Sequence, residues 1–256
     1  MNAMTHRLMH ELAGALLLGT VAFGCAGTDK PASDSSAATV AAQAQPTTTK
    51  GDLPVSSTVV WTPLVDTSMS QWRAWKKDVM PAGWTAKDGL LTKNGNVGDL
   101  ESRAQYANFE LEFDWMVGEG GNAGVFYRVT EQYDMPYWSG PEYQLLDDER
   151  HPDGKDRLRS AASAYGLHAA PAGVVKPAGQ WNSARIVVNR NFVEHWLNGQ
   201  QVVQYELRSP DWTAKVKASK FSEFPNYGLA PRGFLALQGD HAGTLSIREM
   251  RIRELP

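Results

Sequence analysis

The residues best suited to chemistry lie in segment 140–148, where polar and apolar side chains alternate. Glu142 and Gln144 alternate with Tyr143 and Leu145, a period of two that is typical of a β-strand with one polar face. That face carries a carboxylate and an amide side by side. These groups suit a polyhydroxylated ligand, such as a sugar, better than a hydrophobic core.

The preceding segment, 122–128, has the same period and ends in an arginine. Gly124, Phe126 and Arg128 fall on one strand face, so the Arg128 guanidinium is predicted to point to the same side as the Glu142 carboxylate. A guanidinium there would hold a sugar hydroxyl or a developing oxyanion. The alternative is a structural salt bridge between Arg128 and Glu142, and spacing alone favours neither.

Four histidines follow the N-terminal region: His151, His168, His195 and His241. No pair has the spacing of a zinc-binding helix, so no structural zinc site is predicted. His168 lies in a predicted loop and His241 in a turn before the last strand, where either could act as an acid or a base. His195 lies on the apolar face of a predicted strand, which favours a core position.

An acidic run spans residues 147–156, and its donor side chains are Asp147, Asp148, Glu149, His151, Asp153 and Asp156. Hard cations prefer oxygen ligands, so the run is a candidate calcium loop, although its spacing does not match an EF-hand. The alternative is an acidic loop exposed to water. The sequence therefore assigns no metal ligands, and calcium is the one cofactor it leaves open.

Composition and motifs exclude several classes of protein. The chain has 256 residues and a formal net charge of −3, which gives no basic surface for nucleic acid. It has no Gly-x-Ser-x-Gly elbow, phosphate-binding loop or dinucleotide fingerprint. Serine hydrolase, kinase and dehydrogenase functions therefore have no support.

The N-terminal region predicts export. Residues 1–25 contain an apolar run too short to span a membrane as a mature helix, which is typical of a signal peptide. The run ends at Cys25, the only cysteine, in a setting that resembles a lipoprotein cleavage site. We expect a lipid-anchored protein in the periplasm or at the outer membrane; the alternative is ordinary cleavage and a free periplasmic protein. Residues 26–57 contain no aromatic residue and predict a disordered linker.

Residues 58–256 predict one all-β domain. Apolar and acidic side chains alternate through 108–115, which indicates a strand with one wet face. Asn198-Gly199 predicts a two-residue hairpin turn, and the apolar phase slips within 247–250, which predicts a β-bulge. One helix is predicted over 209–221. Many short strands with one helix favour a β-sandwich of two antiparallel sheets.

The order of several short motifs resembles the 3-keto-disaccharide hydrolase domain family, from about residue 58 to the C-terminus. The motifs are Asn108-Phe-Glu-Leu111, Gly121-Asn-Ala-Gly-Val-Phe-Tyr-Arg128, Gly140-Pro-Glu-Tyr-Gln-Leu-Leu-Asp147, Gly179-Gln-Trp-Asn182, Val193-Glu-His-Trp-Leu-Asn-Gly199, Ser219-Lys-Phe221, and Leu237-Gln238 with His241. The resemblance implies a concanavalin A-like jelly-roll sandwich. It also implies a carbohydrate substrate whose C3 hydroxyl has been oxidised by another enzyme, a sugar 3-dehydrogenase.

The chemistry that the resemblance implies starts at carbon 2 of the sugar. A ketone at C3 acidifies the C2 proton, so a base removes it, the glycosidic oxygen leaves from C1, and water adds back. We expect Glu142 or a histidine as the base, Arg128 or a metal at the enolate oxygen, and His168 or His241 as the acid. Further substrate contacts are expected from Asn122, Gln144, Asp147, Trp138 and Gln238.

Two other functions fit the same residues. A non-catalytic carbohydrate-binding module would use Arg128, Glu142 and Gln144 to hold hydroxyls, with an exposed tryptophan against the sugar ring. A conventional glucanase-type glycosidase would use closely spaced acids on one strand, and segment 110–114 has such spacing. That segment is interleaved with aromatic residues, however, and is better explained as the solvated face of a strand.

Overall fold

The computed structural model describes residues 60–256, so the predicted leader (1–25) and linker (26–57) lie outside the described residues. The described chain contains one α-helix, α1 (Pro210–Lys217), and thirteen β-strands. The strands are β1 (Thr62–Pro63), β2 (Trp72–Ala74), β3 (Trp84–Lys87), β4 (Leu90–Asn94), β5 (Leu100–Tyr106), β6 (Phe109–Val117), β7 (Asn122–Val129), β8 (Glu142–Leu146), β9 (Asn182–Asn189), β10 (Phe192–Leu197), β11 (Gln200–Glu206), β12 (Gly233–Leu237) and β13 (Thr244–Glu254).

The strands form two antiparallel sheets. The eight-stranded sheet has the order β11-β10-β9-β6-β13-β4-β3, with β1 paired to the later part of β13. The five-stranded sheet has the order β2-β5-β12-β7-β8. The chain passes from one sheet to the other between β5, β6 and β7, so neighbours in sequence lie in opposite layers. The predicted jelly-roll β-sandwich of two antiparallel sheets with one α-helix is confirmed.

Apolar and acidic side chains alternate along β6, and the apolar ones pack the two sheets against each other. Phe109, Leu111, Phe113 and Trp115 are at most 2% exposed and lie in the core between the sheets, where burial of apolar surface stabilises the fold. The acidic residues between them lie on the outer face of the larger sheet. This is the arrangement that the alternation in 108–115 predicted.

The last strand contains the predicted bulge. Arg248 of β13 lies opposite Asp114, but Arg251 lies opposite Glu112, so β13 has one extra residue over this stretch. Glu249 takes up the extra residue in a left-handed conformation, with φ of 53°. The hairpin between β10 and β11 also forms as predicted.

The helix ends earlier than the sequence suggested. The prediction of a helix to about residue 221 was wrong, because α1 stops at Lys217 and the Ser219 side chain accepts a hydrogen bond from the Phe221 amide to begin a 3-10 helix (Lys220–Glu223). The ring of Phe221 stacks on Tyr227 with centroids 4.1 Å apart. This packing anchors the segment that follows α1. No helix within residues 60–256 has the length and apolar character needed to cross a bilayer.

Candidate active site

A cavity of about 320 Å³ lies on the outer face of the five-stranded sheet, beside β7, β8 and the end of β12. It is lined by polar and aromatic side chains from seven separate parts of the chain: Asn122, Tyr137, Glu142, Gln144, His151, Asp153, Tyr165, Lys220, Gln238, Asp240 and His241. Five of these were predicted as site residues, namely Asn122, Glu142, Gln144, Gln238 and His241. The structure therefore places over half of the predicted site residues around one cavity.

The alternation of β8 accounts for the centre of the cavity. Tyr143 and Leu145 are fully buried in the core between the sheets, whereas Glu142 and Gln144 line the cavity on the opposite face. β8 thus directs its apolar side chains into the core and its polar side chains into the cavity, as its sequence pattern predicted. Both polar side chains are nevertheless buried, with Glu142 only 7% exposed.

Gly124 makes room for the Glu142 carboxylate. In the β7–β8 pair, Gly124 lies opposite Gln144 and Phe126 lies opposite Glu142. A Cβ atom at position 124 would overlap the carboxylate of Glu142. The absence of a side chain at Gly124 therefore sets where this carboxylate can sit.

Three amide side chains in the cavity keep unused hydrogen-bonding capacity. The side-chain oxygens of Asn122, Gln144 and Gln238 are buried and have no hydrogen-bond partner within residues 60–256. Buried polar atoms without partners are costly, so a ligand that supplies donors would be favoured there. Sugar hydroxyl groups are such donors.

A tight turn before β13 carries His241 and Asp240 to the cavity. The Lys93 ammonium is buried beneath this turn and donates to the carbonyl oxygens of His241 (2.6 Å) and Gly239 (3.5 Å). The Gly239 amide in turn donates to Asp99 Oδ1 at 2.7 Å. Two buried charged groups therefore hold the turn in place, and burial lowers the pKa of Lys93 and raises that of Asp99 to about 6.

The remaining wall comes from the segment after β8. Tyr143 forms a β-bridge with Ala164, and the Tyr165 amide donates to the Glu142 carbonyl at 3.2 Å, which sets Tyr165 beside the cavity. The Tyr165 hydroxyl donates to Asp153 Oδ2 at 3.1 Å. The Lys220 ammonium lies 4.5 Å from the centre of the Tyr165 ring, a cation–π distance.

Burial dominates the electrostatics of the cavity. It raises the pKa of Glu142 to about 8; Lys220 opposes this shift, whereas nearby acids, with Asp240 the strongest and then Asp153, add to it. Burial also lowers the pKa of His241, against the opposite effect of Asp240. The cavity thus holds a carboxyl group that gains and loses its proton near neutral pH, next to a neutral imidazole. Such tuning is typical of acid–base sites.

Arg128 does not face the cavity, so the predicted pairing of Arg128 with Glu142 was wrong. Its side chain turns to the other side of the sheet and donates to the carbonyl oxygens of Arg190 and Ala107. The cause is a bulge in β7: Arg128 has φ of 54°, and Phe126 and Val129 share one face although two residues lie between them, which in a regular strand would put them on opposite faces. Arg128 therefore neither clamps a ligand in this cavity nor bridges to Glu142.

Three other predicted site residues also lie outside the cavity lining. His168 stacks on Tyr205 with ring centroids 4.7 Å apart, and burial lowers its pKa to about 4. Asp147 accepts hydrogen bonds from the amides of Gly120 and Glu149 and so links the turn between β6 and β7 to the turn after β8. These contacts give both residues a structural role.

Trp138 does not line the cavity but contacts a residue that does. Its ring stacks on Phe224 with centroids 5.1 Å apart and meets the edge of Tyr137, which lines the cavity. His195, by contrast, lies in the core as predicted. It is fully buried, with its ring nitrogens 2.9 Å from the Tyr127 hydroxyl and 3.0 Å from the Ala162 carbonyl oxygen.

The acidic run does not gather its carboxylates around one centre. Asp148 accepts from the Ala161 amide, and Arg159 pairs with Asp153 and Asp156. Within residues 60–256, no group of three or more His, Cys, Asp or Glu side chains is arranged to hold a metal ion. The described loop therefore does not form the calcium site that its composition suggested.

Sequence reasoning missed several cavity residues, and some had a usable signal. Lys220 lies within the family motif Ser219-Lys-Phe221, and Asp240 is adjacent to the predicted His241. Asp153 was considered only as part of the acidic run, and His151 only there and in the search for a zinc site. Tyr137 and Tyr165 had no signal beyond being aromatic residues in loops.

Comparisons with known proteins agree with this fold. A family model described as "3-keto-alpha-glucoside-1,2-lyase-like domain" matches residues 60–253. The chain is 36% identical over 217 residues to a 3-keto-disaccharide hydrolase of Bacteroides thetaiotaomicron, covering 72% of this chain and 74% of that protein. The crystal structure of a proposed glycosyl hydrolase from Parabacteroides distasonis ATCC 8503 matches with a TM-score of 0.70 at 30% identity, covering 77% of this chain and 94% of that one. A second such structure from the same organism matches with a TM-score of 0.61 at 25% identity, covering 77% and 100% of the two chains.

The family model spans nearly all of the described residues, and the relative from Bacteroides thetaiotaomicron is similar over most of both chains. The resemblance seen in the motifs is thereby confirmed. This chain belongs to the 3-keto-alpha-glucoside-1,2-lyase-like domain family.

Proposed function

We propose that this protein is an enzyme that cleaves the glycosidic bond of 3-keto-glycosides, including 3-keto-disaccharides. The observation that carries the proposal is the buried carboxyl group of Glu142, which faces a cavity with three unpaired amide oxygens. A base for the C2 proton and acceptors for sugar hydroxyls are thus in one place. Membership of the family, with a relative named for this activity, supports the same substrate class.

The proposed reaction is an elimination followed by hydration. Glu142 takes the proton from C2, the electrons form an enolate with the C3 ketone, and the bond from C1 to the glycosidic oxygen then breaks. Water adds to the resulting C1=C2 double bond, which places a hydroxyl at C1 and a proton at C2. The C3 ketone makes this route possible because it acidifies the C2 proton.

Two donors in the cavity suit the remaining roles. The Lys220 ammonium would donate to the departing glycosidic oxygen, and the imidazole of His241 would donate to the developing enolate oxygen. Lys220 is the only lysine or arginine among the described residues that line this cavity. Lys220 thus takes the acid role that the sequence had assigned to His168 or His241, and His241 takes the enolate role that it had assigned to Arg128.

The outer face of the larger sheet does not favour a glucanase mechanism. Glu112 and Asp114 accept hydrogen bonds from Arg251 and Arg248, and Glu110 pairs with Arg185 at 2.5 Å. These acids are neutralised by arginines. They also lie on the opposite sheet from the cavity. Paired catalytic carboxylates flanking one bond are therefore not formed by this strand.

The direct test is to incubate the domain with methyl 3-keto-glucoside, 3-keto-trehalose and the corresponding sugars that keep the C3 hydroxyl. We expect release of 3-keto-glucose from the keto substrates only, because the unoxidised sugars have no acidic C2 proton. A carbohydrate-binding module would instead bind the unoxidised sugars and yield no product from the keto substrates, and that result would contradict the proposal.

The pH dependence of the reaction should follow the carboxyl group of Glu142. Its pKa is raised to about 8 by burial, so the base is mostly protonated at lower pH. We expect kcat/KM to rise about tenfold per pH unit up to this pKa and to level off above it. A rate profile that is flat across this range would show that another group is the base.

Gly124→Ala should displace the base without unfolding the domain. The added Cβ overlaps the carboxylate of Glu142, which is the free end of a flexible side chain, and the backbone at Gly124 does not need a positive φ. A misplacement of about 1 Å typically costs about 10²-fold in rate, so kcat should fall by that order while the thermal melting curve is retained. Full activity of a folded Gly124→Ala protein would contradict this placement of the base.

We further propose that the protein is exported with a signal peptide and anchored by lipid at Cys25, and that a sugar 3-dehydrogenase supplies its substrate. The apolar run before the only cysteine supports the anchor, and the need for a C3 ketone supports the partner. Expression of the full chain tests the anchor by fractionation. Cys25→Ser should move the protein from the membrane fraction to the soluble periplasm, and unchanged membrane association would argue against lipidation.

A further inference from the structure

A second cavity of about 590 Å³ borders the candidate active site. The two cavities share Tyr165 and Lys220 as lining residues. The two cavities are therefore neighbours that meet at these two side chains.

The Lys220 ammonium stands at the junction of the two cavities. It lies 4.5 Å from the centre of the Tyr165 ring, 5.3 Å from that of Phe221 and 6.0 Å from that of Tyr137. Tyr137 lines only the first cavity and Phe221 only the second. A bond that is cut beside Lys220 therefore divides its substrate between the two cavities.

The second cavity offers mainly apolar contacts. Leu158, Leu167 and Phe221 contribute to its lining; Leu167 and Phe221 are each only 2% exposed, whereas Leu158 is 39% exposed although it is a large apolar residue. The cations at the edge of the cavity have partners, since Lys215 pairs with Asp211 and Arg159 with Asp156. Apolar surface that remains accessible in a concave site favours a ligand with a flat apolar face.

We propose that the second cavity is the subsite for the leaving group, and that it favours an aryl aglycone over a small alkyl one. This inference rests on the proposed function, because it assigns the first cavity to the 3-keto sugar. The flat face of an aryl group would pack against the exposed Leu158, and its glycosidic oxygen would pass beside Lys220. The second cavity would thus set specificity for the aglycone and not for the sugar.

The test is to fill the second cavity and to compare two substrates. Ala218 lines this cavity and is exposed at the end of α1, so Ala218→Trp adds bulk there without disturbing the core. The matched control is Ala214→Trp, an exposed position on the same helix that is not among the lining residues. Kinetics are measured with 4-nitrophenyl and methyl 3-keto-glucosides for both variants and the unchanged protein.

We expect Ala218→Trp to lower kcat/KM for the 4-nitrophenyl substrate by about tenfold or more, with less than a twofold change for the methyl substrate. Ala214→Trp should change neither. Leu158→Glu, which places a carboxylate in the same cavity, should repeat the result if Ala218→Trp does not fold. Equal effects on both substrates, or none on either, would overturn the leaving-group subsite. If the unchanged protein cleaves neither substrate, the proposed function itself fails.

Discussion

Glu142→Gln is expected to lower kcat for a 3-keto-glucoside by about 10² to 10⁴-fold while leaving the domain folded, as is typical for removal of a general base. The change keeps the size of the side chain and removes only its ability to accept the C2 proton. Burial raises the pKa of Glu142 from its ordinary value of 4.5 to about 8, which means that the folded state favours the neutral form. A neutral amide therefore fits the site without a charge penalty.

The same shift predicts the effect of Glu142→Gln on stability. The folded-state pKa lies above the unfolded value, so the contribution of Glu142 to stability is full below about pH 4.5 and is lost as pH rises through about 8. Glu142→Gln should therefore be at least as stable as the unchanged protein at alkaline pH in urea unfolding. Loss of turnover with retained stability separates a chemical role from a structural one.

Glu101→Gln is the matched control for Glu142→Gln. Glu101 is a second buried carboxylate on the five-stranded sheet; burial raises its pKa to about 7, and its partner is Arg73 rather than a cavity group. We expect this variant to keep turnover within about twofold and to lose stability instead. Equal loss of turnover in both variants would mean that buried charge on this sheet, and not a base, supports activity.

Lys220→Met should slow the reaction in a way that depends on the leaving group. If the ammonium donates to the glycosidic oxygen, its loss should cost about 10²-fold for methyl 3-keto-glucoside, whose leaving group needs a proton. The loss should be under about tenfold for the 4-nitrophenyl substrate, because 4-nitrophenolate leaves without protonation. Methionine keeps most of the aliphatic part of the side chain and removes the ammonium, with its cation–π contacts to Tyr165 and Phe221.

The control for this prediction is Lys217→Met, an exposed lysine at the end of α1 that lines neither cavity. It should leave both substrates unaffected. An equal loss for both substrates in Lys220→Met would place this ammonium at the enolate oxygen and not at the leaving group.

The part of the site that lies on regular strands was predictable from sequence. Glu142 and Gln144 face the cavity, and Tyr143 and Leu145 face the core, because β8 keeps an unbroken period of two. Gly124 on the neighbouring strand is adjacent to them for the same reason. The bulge in β13 was also readable, because the apolar phase slips at Glu249.

Arg128 shows where period-two reasoning fails. The residues around Arg128 give no phase slip of the kind seen in β13, since Val129 would be acceptable on either face. Only the structure reveals the left-handed backbone at Arg128, which sends the guanidinium to the carbonyl oxygens of Ala107 and Arg190. A single bulge thus moves the predicted cation away from the cavity.

Local sequence patterns could not predict that Lys220 lies at the site, because tertiary packing brings it there. It lies far along the chain from Glu142, in a 3-10 helix with no alternation to orient its side chain. Its position depends on Phe221, which stacks on Tyr227 in the core. The turn that carries His241 depends similarly on the buried Lys93, whose partners are backbone carbonyl groups that no sequence pattern indicates.

The central claim, that Glu142 removes the C2 proton of a 3-keto sugar, is tested most directly by isotope incorporation. Methyl 3-keto-glucoside is cleaved in D₂O, and the 3-keto-glucose formed is analysed by mass spectrometry and NMR, with enzyme-free and Glu142→Gln samples as controls. Elimination and hydration predict one deuterium at C2 of every product molecule at early times. Product that keeps its original C2 proton would show direct hydrolysis and would contradict the account.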